Sequence, residues 1–458
     1  METQFLWTQN WYPVIPLSYL DVSCPTALTL LDKKLVIWRD GNQQWRVMDD
    51  VCPHRLVQLS LGSINSEDGT LVCRYHGWCF DGSGKCTKIP MSTDEKLEET
   101  ARQNQRSKIT TYPTQILEGL LWVWPDNSPT AFADCQLKSP ATLPECDFDS
   151  DSTDWFMSDV PVGYRVSVES SFDPSHAQFL HEGLMVFSPQ TAIPMQEFKQ
   201  VGEMSAETGF TLQHTGYNVY NQNMEATRTF TPPCSNTTIY RHPHGRTDVF
   251  QLYFVPTQAG YCRYIGKFFS SENFLAKNKI LSLVLKMLPP EIRVSLQHLQ
   301  GYKLGDQDLR ALHSEDVICT TSPEKNYYLP TISDAGVIAF RKWLDKFAGG
   351  EPFEEENIKE LSSEQLYDRW HRHTKHCPHC RNTVLRLEKI RSFCQSSAIL
   401  LLIIALILVP FGISVKFSLT LIILAGLTFL GSLTSDNIRH LFLSSVPRNG
   451  LPIVKLYS

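Results

Sequence analysis

A surplus of basic residues is missing from this sequence. Its 42 lysine and arginine residues stand against 48 aspartate and glutamate residues, which gives a formal net charge of -6. Proteins that bind nucleic acid normally present a strongly basic face. The composition therefore gives no support for a nucleic-acid partner.

The first residues also lack the features of a targeting peptide. Residues 1–7 contain neither an apolar signal core nor an Arg/Ser-rich leader. The 13 cysteines are scattered and odd in number, unlike the even sets of small secreted disulfide proteins. We therefore expect a reducing compartment, with metal or redox roles for cysteine. Either no targeting peptide is used, as in a bacterium, or it is absent from this numbering.

The sequence contains two short motifs that combine cysteine and histidine. They are Cys52-Pro53-His54 and Cys73-Arg74-Tyr75-His76. Two thiolates and two imidazoles on two loops suit a Rieske [2Fe–2S] cluster, in which two Cys bind one iron and two His bind the other. A closed zinc site accepts the same donors. The second motif continues as a strand and turn rather than a zinc-finger helix, which favours the iron–sulfur interpretation.

The length of 458 residues suggests about three units. Residues 1–125 contain short strand-like runs, including the hairpin pattern Leu35–Arg39, Asp40-Gly41, Trp45–Asp49 and a final strand over 120–125. Residues 126–160 resemble a connector. Strand-like runs recur over 161–270, at 250–255 and 261–265, and helical patterns follow at 274–288, 306–316 and 334–347. We predict an α+β fold: an all-β domain, then an antiparallel-sheet-plus-helices catalytic domain over 161–347.

A second candidate metal site begins at Asp173-Pro174 and contains His176 and His181. Two imidazoles and one carboxylate with open positions are the ligands of non-haem Fe(II) oxygenases. On a regular helix the two histidines would stand about 140° apart, so the helix must begin, end or bulge there to let both reach one ion. Asp173 as N-cap and Pro174 at the first helical position offer such a start. Two surface histidines near a helix start are the ordinary alternative.

The carboxyl end consists of two apolar stretches, 397–415 and 417–434, interrupted by Lys416. Each approaches the roughly 20 residues that cross a bilayer. A buried helical hairpin is the alternative, but uniform Leu and Ile on all sides favour two membrane spans over 397–435 with a turn near 410–416. Basic residues flank both ends, so we expect the soluble domains and the 436–458 tail on the cytoplasmic side. These residues are Arg381, Arg386, Lys389, Arg391, Arg439, Arg448 and Lys455.

The two motifs in this order resemble the Rieske oxygenases, and the resemblance covers nearly the whole chain. It implies a homotrimer in which His176 and His181 bind iron and Asp173 carries electrons from a neighbouring subunit's cluster. Glu169 would lie behind the ligands. The stretch 305–315 resembles the helix that supplies the third ligand and favours Asp308, although Asp306 stays possible and either acid suits a helix start.

Residues 11–14 and 76–82 resemble the pheophorbide a oxygenase-like branch, which includes cell-death suppressor proteins, chlorophyllide a oxygenase and a translocon Rieske protein. Members of this branch carry a Cys-x-x-Cys before a carboxyl-terminal membrane pair, here Cys377 and Cys380 in the 348–396 linker. The resemblance implies a redox switch that thioredoxin could reduce. A structural or adventitious metal site with nearby histidines is the alternative.

The expected function is therefore the O2-dependent oxygenation of a hydrophobic, chlorophyll-derived tetrapyrrole, such as pheophorbide a or a chlorophyllide. Ferredoxin or a reductase would supply electrons through the Rieske cluster to a mononuclear non-haem Fe(II). Because the plant members carry a plastid leader that this sequence does not show, the expected source is a cyanobacterium, whose thylakoid or plasma membrane would hold the protein. The alternative is a membrane-bound Rieske electron-transfer or redox-sensing component of a larger complex, which would have no need of the second iron.

Overall fold

The structure is a computed structural model that describes residues 4–144, 154–184, 187–271, 287–322, 326–353, 358–409, 415–444 and 446. The chain forms two compact units. Residues 1–273 and 311–360 form the first, here called the sheet unit, and residues 274–310 and 361–458 form the second, the helical unit. Sheets followed by helices confirm the predicted α+β class.

The amino-terminal part of the sheet unit contains three small antiparallel sheets. Their strands are β1 (Tyr12–Pro16), β2 (Thr26–Leu30), β3 (Lys33–Arg39), β4 (Trp45–Asp49), β5 (Ser63–Ile64), β6 (Leu71–Val72), β7 (Cys79–Phe80), β8 (Cys86–Lys88), β9 (Thr111–Tyr112), β10 (Thr114–Leu117) and β11 (Leu120–Val123). The sheets have the orders β2-β3-β4-β9, β5-β6-β7-β8 and β1-β11-β10. The predicted hairpin is confirmed as β3 and β4, with Arg39 opposite Trp45.

These strands build one apolar core beneath the candidate cluster motifs. Trp38, Met48, Leu71 and Phe80 are fully buried in it, because alternate side chains of the strands point to the same interior. The short helix α1 (Glu95–Gln103) follows, with Asp94 accepting hydrogen bonds from its first backbone N–H groups. A four-residue helix, α2 (Ala131–Asp134), lies after β11.

A seven-stranded antiparallel sheet forms the rest of the sheet unit, in the order β12-β18-β17-β16-β15-β14-β13. Its strands are β12 (Phe156–Val160), β13 (Phe198–Ser205), β14 (Gly209–Thr215), β15 (Glu225–Thr231), β16 (Ser235–Arg241), β17 (Thr247–Gln258) and β18 (Tyr261–Ser270). The predicted strands at 250–255 and 261–265 are confirmed. The last residues of the segment predicted as a connector form β12, an edge strand of this sheet.

Three helices of the sheet unit accompany the large sheet: α3 (Tyr164–Phe172), α4 (Ala177–Leu180) and, later in the chain, a nine-residue helix, Ala335–Trp343. An aromatic cluster joins helices to sheet, with Phe230 within 5.2 Å of Phe340 and 4.9 Å of Trp343 between ring centroids. The predicted helix over 334–347 is confirmed, with a π-helical last turn that stops at Gly349, where φ is +66°.

Helix α5 (Pro290–Thr321) lies in sequence between α4 and the Ala335–Trp343 helix. It is much longer than the predicted 306–316 helix, and the boundary between the two units falls within it. The Ala335–Trp343 helix is therefore α6. The predicted helix at 274–288 lies almost wholly outside the described residues.

The helical unit adds α7 (Ser363–Leu366), a π-helical turn at Trp370–Thr374, α8 (Pro378–Leu408) and α9 (Val415–Leu443). The predicted spans 397–415 and 417–434 fall largely within α8 and α9, which pack along each other. Both helices are long and apolar enough to cross a membrane, and only 11% and 17% of their most apolar windows is buried. Most of the predicted turn between them lies outside the described residues.

Candidate iron centres

The first cluster motif forms a tight loop closed on Cys52. The Cys52 carbonyl accepts a hydrogen bond from the backbone N–H of Leu56 at 2.9 Å, and the Cys52 N–H donates to the carbonyl of Val57 at 2.8 Å. This pair of bonds turns the chain back on itself within six residues. The loop therefore projects His54 outward while the cysteine stays at its base.

The second motif repeats this backbone geometry. The Cys73 carbonyl accepts from the N–H of Gly77 at 2.9 Å, and the Cys73 N–H donates to the carbonyl of Trp78 at 2.8 Å. The matching position in each loop has left-handed φ, +73° at Gly77 and +61° at Leu56. The two loops are thus structural copies, each offering one thiol and one imidazole.

The two cysteines and the two histidines of these loops differ in how deeply they are buried. Cys52 and Cys73 are both only 2% exposed, whereas His54 is exposed and His76 is half-buried. The two imidazole rings lie 4.6 Å apart between centroids, and Trp78 stacks on His54 at 4.7 Å with an angle of 6° between planes. A cluster held here would have its cysteine-bound iron inside and its histidine-bound iron toward the surface.

Two observations test whether these residues fit a [2Fe–2S] cluster. Burial, with the neighbouring Cys73, raises the pKa of Cys52 to about 12, and a bound metal would offset that cost because it coordinates the thiolate. In the described part of the chain, His76 Nδ1 is buried without a hydrogen-bond partner. Both observations suit ligands of a metal centre. The separation of a buried cysteine pair from an imidazole pair nearer the surface fits two irons better than one zinc ion.

The second candidate site starts where α3 ends. Asp173 accepts a hydrogen bond from the N–H of Ser175 as N-cap, and Pro174 occupies the first position of a 3₁₀ turn, Pro174–His176. The chain then continues as α4, and this helix ends with His181 as its C-cap. Because the helix is neither regular nor continuous, His176 and His181 come together, with ring centroids 5.2 Å apart.

Asp173 lies beside the first of these histidines. Its Oδ2 is 3.7 Å from His176 Nδ1, and its Oδ1 accepts from the Ser175 hydroxyl at 2.5 Å. Burial acts to raise the pKa of Asp173, but hydrogen bonds from His176 and Ser175 outweigh it and hold that pKa below the usual value. The carboxylate is therefore held ionised next to an imidazole.

Glu169, on α3, is 2% exposed and forms a two-pronged ion pair with Arg341 of α6, at 2.7 and 3.1 Å. Arg341 also lies over the ring of Tyr327, 3.7 Å from its centroid. A buried carboxylate of this kind is retained only with such a partner. Glu169 therefore ties α3, the helix that leads into the histidine pair, to α6.

The two acids that compete as third ligand lie on α5 in the helical unit and differ sharply in environment. Asp306 is 1% exposed, and its oxygens accept from Arg369 at 2.6 and 2.8 Å and from Arg372 at 2.6 Å. Asp308 is half-buried. Two residues along a helix point about 160° apart. With its charge balanced by two guanidinium groups, Asp306 is poorly suited to bind iron.

Comparisons with known proteins agree with these geometries. The Rieske [2Fe-2S] domain family matches residues 10–113, and the pheophorbide a oxygenase domain family matches residues 230–325. The pheophorbide a oxygenase of Oryza sativa is 30% identical over 87% of this chain and 78% of its own length. The chain belongs to the pheophorbide a oxygenase family. It is thus a Rieske non-haem iron oxygenase, an oxidoreductase.

Other relatives of this family member have different names. The flavonoid 8-hydroxylase 2 of Ocimum basilicum is 29% identical over 88% of this chain and 79% of its own length. The protochlorophyllide-dependent translocon component 52 of Arabidopsis thaliana is 29% identical over 86% and 76%. The solved structure of dicamba monooxygenase matches 74% of this chain and 97% of its own, with a TM-score of 0.55 and 18% identity, which shows a shared fold.

The Cys-x-x-Cys of this pheophorbide a oxygenase relative is buried in the helical unit. Cys377 and Cys380 lie within 4.8 Å of two imidazoles, His298 on α5 and His373 in the π-helical turn. No sequence pattern pointed to His298, because it lies 79 positions before Cys377 and belongs to no local motif. His373 was only one of several histidines near the motif.

Proposed function

We propose that this enzyme oxygenates a hydrophobic, chlorophyll-derived tetrapyrrole of the pheophorbide a or chlorophyllide type, using O2. The observation that carries the oxygenase chemistry is the pairing of His176 with His181, because a pure electron carrier has no use for it. The tetrapyrrole substrate is supported by the named activity of the Oryza relative. The flavonoid hydroxylase relative makes a flavonoid the competing substrate.

In this proposal Cys52, His54, Cys73 and His76 hold the [2Fe–2S] cluster, and His176, His181 and Asp308 hold the mononuclear iron. When bound, the two centres supply electron transfer and O2 activation. Asp308 is preferred over Asp306 because Asp306 is already committed to two arginines.

The chain's own residues contribute positioning. Exposed His54 gives ferredoxin or a reductase a point of electron entry, and the stack with Trp78 fixes the ring orientation. Asp173 stands beside His176 and would serve as the bridge for electrons from the cluster of a neighbouring subunit in a homotrimer. Such a head-to-tail contact closes on itself only in a ring.

The membrane arrangement follows from α8 and α9 as spans. Basic residues before and after the pair support an orientation with the soluble parts on the cytoplasmic side of a thylakoid or plasma membrane. A substrate that partitions into lipid would then meet the enzyme at the membrane surface.

Anaerobic iron and sulfide analysis of the full-length protein in detergent tests the two-centre proposal. We expect about three irons and about two sulfides per chain. His181→Ala should lose about one iron while the visible spectrum of the cluster is unchanged, and His244→Ala, at an exposed histidine, should lose none. About two irons in the unaltered protein would refute the oxygenase assignment and favour the electron-transfer alternative.

Substrate identity needs a separate measurement. With reduced ferredoxin and ¹⁸O2, we expect label in the product from pheophorbide a or chlorophyllide a and none from a flavonoid. Label in the flavonoid alone would replace the tetrapyrrole proposal without affecting the oxygenase assignment.

A further inference from the structure

Four metal-binding side chains of the helical unit converge in its interior, and none of them belongs to either candidate iron centre. His298, His373, Cys377 and Cys380 are 4%, 0%, 0% and 0% exposed, and their ligand atoms all lie within 4.8 Å of one another. The Cys377 and Cys380 sulfurs are 3.6 and 3.4 Å from His298 Nδ1, and the Cys380 sulfur is 3.4 Å from His373 Nε2.

These separations are those of ligands around one tetrahedral zinc ion. Bonds of about 2.3 Å to sulfur and about 2.1 Å to nitrogen place sulfur and nitrogen ligands roughly 3.6 Å apart at the tetrahedral angle. Ordinary hydrogen bonds explain the set less well, because His298 Nδ1 carries either one proton or one lone pair and would have to share it between two sulfur atoms. One cation at the centre satisfies all four groups.

The local fold prepares this arrangement. Cys377 is the N-cap of α8 and Pro378 its first residue, so Cys380 lies one turn into the helix on the same side. The Cys377 N–H donates to the His373 carbonyl at 3.1 Å, which sets the π-helical turn against the helix start. His298 projects from α5, where the neighbouring Ser295 hydroxyl lies 2.9 Å from that of Thr383.

Charge also favours a divalent cation here. Two thiolates and two neutral imidazoles bring two negative charges into a fully enclosed space, and one Zn²⁺ makes the total zero. Zinc is the common ion for a closed set of two sulfur and two nitrogen ligands. A second [2Fe–2S] cluster is unsuitable, because it would hold its cysteine pair and histidine pair on separate irons.

The same burial argues against a thioredoxin-reducible switch at this position. Thiol–disulfide exchange requires an attacking thiolate to reach one of the sulfurs, and neither Cys377 nor Cys380 has exposed surface. The redox switch expected from the sequence is therefore the competing interpretation, and an experiment must distinguish it from metal binding.

We propose that His298, His373, Cys377 and Cys380 form a closed structural Zn²⁺ site that ties α5, the π-helical turn and the start of α8 together. Zinc displaces two thiol protons when it binds, and no electrons are exchanged. Its role is to hold these three segments of the helical unit in one arrangement. The site is independent of the proposed substrate and of both iron centres.

Metal analysis of the intact holoenzyme tests the proposal directly. We expect one equivalent of zinc per chain beside the irons, and cobalt added in place of zinc should give the intense visible d–d bands of a tetrahedral site with thiolate ligands. Both measurements use the unaltered sequence, so they do not depend on whether a variant folds.

Variants then assign the ligands. His298→Ala and Cys380→Ser should each reduce bound zinc at least tenfold while leaving the visible spectrum of the Rieske cluster unchanged. Cys394→Ser, further along α8, and His371→Ala, at a side chain 64% exposed, should keep their zinc. A protein without zinc or cobalt bands whose two thiols form a disulfide that thioredoxin reduces would overturn the proposal in favour of the switch.

Discussion

At the scale of single residues, the two cluster loops share one backbone conformation although their side chains differ. Both need a left-handed residue four positions after the cysteine, and one loop uses Gly77 whereas the other uses Leu56. A left-handed conformation costs a residue with a Cβ about 1 to 2 kcal/mol. At Leu56 this conformational cost is not offset by side-chain packing, because the side chain is 75% exposed.

The two positions should therefore respond in opposite directions to substitution. Gly77→Ala adds a Cβ 3.2 Å from the ring of Pro90 at positive φ, and we expect a loss of about 1 to 2 kcal/mol. Leu56→Gly relieves strain but makes the unfolded chain more flexible, so we expect a gain of no more than about 1 kcal/mol. The temperature at which cluster absorbance bleaches measures both. An equal drop in the two variants would contradict the shared-loop explanation.

The limits of sequence reasoning are clear among the candidate ligands. Cys52, His54, Cys73 and His76 could be found because each pair is contiguous and the spacing itself carries the chemistry. The resemblance favoured Asp308 but left Asp306 possible, because the environments that distinguish the two acids depend on Arg369 and Arg372, which approach from more than 60 positions away. His298 was missed for the same reason.

At the scale of elements, the start of α3 depends on an acid from α5. The backbone N–H of Gly163, the N-cap of α3, donates to Asp316 Oδ2 at 2.6 Å. Burial raises the pKa of Asp316 from 3.8 to about 6, although the Gly163 hydrogen bond opposes the rise. A single acid thus joins two helices of the sheet unit and titrates within a mildly acidic range.

This pKa sets the sign of a pH effect. A raised carboxyl pKa means that the folded state binds the proton more tightly than the unfolded chain, so the stability from Asp316 is complete below pH 3.8 and is lost as the pH rises through about 6. Asp316→Asn carries no charge and keeps an acceptor for Gly163. We expect its thermal midpoint to rise relative to the unaltered protein between pH 4 and 7, by an equivalent of about 2 to 3 kcal/mol.

The matched control is Asp316→Ala, which leaves the buried Gly163 N–H without its acceptor. That variant should be less stable than the unaltered protein by about 1 to 3 kcal/mol near pH 4. Because it also lacks the titrating carboxyl, this deficit should shrink by about 2 to 3 kcal/mol as the pH rises to 7. Parallel pH profiles for Asp316→Asn and the unaltered chain would show that this carboxyl does not titrate as described.

Elements were predictable where their pattern is local. Hydropathy located the apolar halves of α8 and α9, but α8 begins at Pro378, well before the apolar stretch, because its first turns carry ligand and ion-pair side chains. Sheet order was not predictable: β12 pairs with β18, with Phe156 opposite Gly266, through contacts that no local pattern encodes.

At the scale of the whole molecule, the outer faces of α8 and α9 are apolar enough for the two helices to cross a bilayer. Leu406 is 72% exposed and Leu427 58%, among many other exposed Leu and Ile side chains on both helices. Soluble proteins rarely expose a contiguous apolar surface of this extent. At the polar end of the pair, Arg391 and Arg439 alternate with Glu388 and Asp436 in an ion-pair cluster, which suits a position in water beside the membrane.

Membrane insertion should accordingly be weakened by a charged side chain on this outer face and should tolerate another apolar side chain of different shape. An arginine in the middle of a span costs about 2.5 to 3.5 kcal/mol for insertion. Leu400→Arg, at a side chain 58% exposed in the middle of the apolar part of α8, should therefore shift a substantial fraction of the protein from carbonate-washed membranes to the soluble or aggregated fraction. Leu400→Phe should stay with the membranes. If the unaltered chain is recovered as a monodisperse protein without detergent, α8 and α9 form a buried hairpin and not two spans.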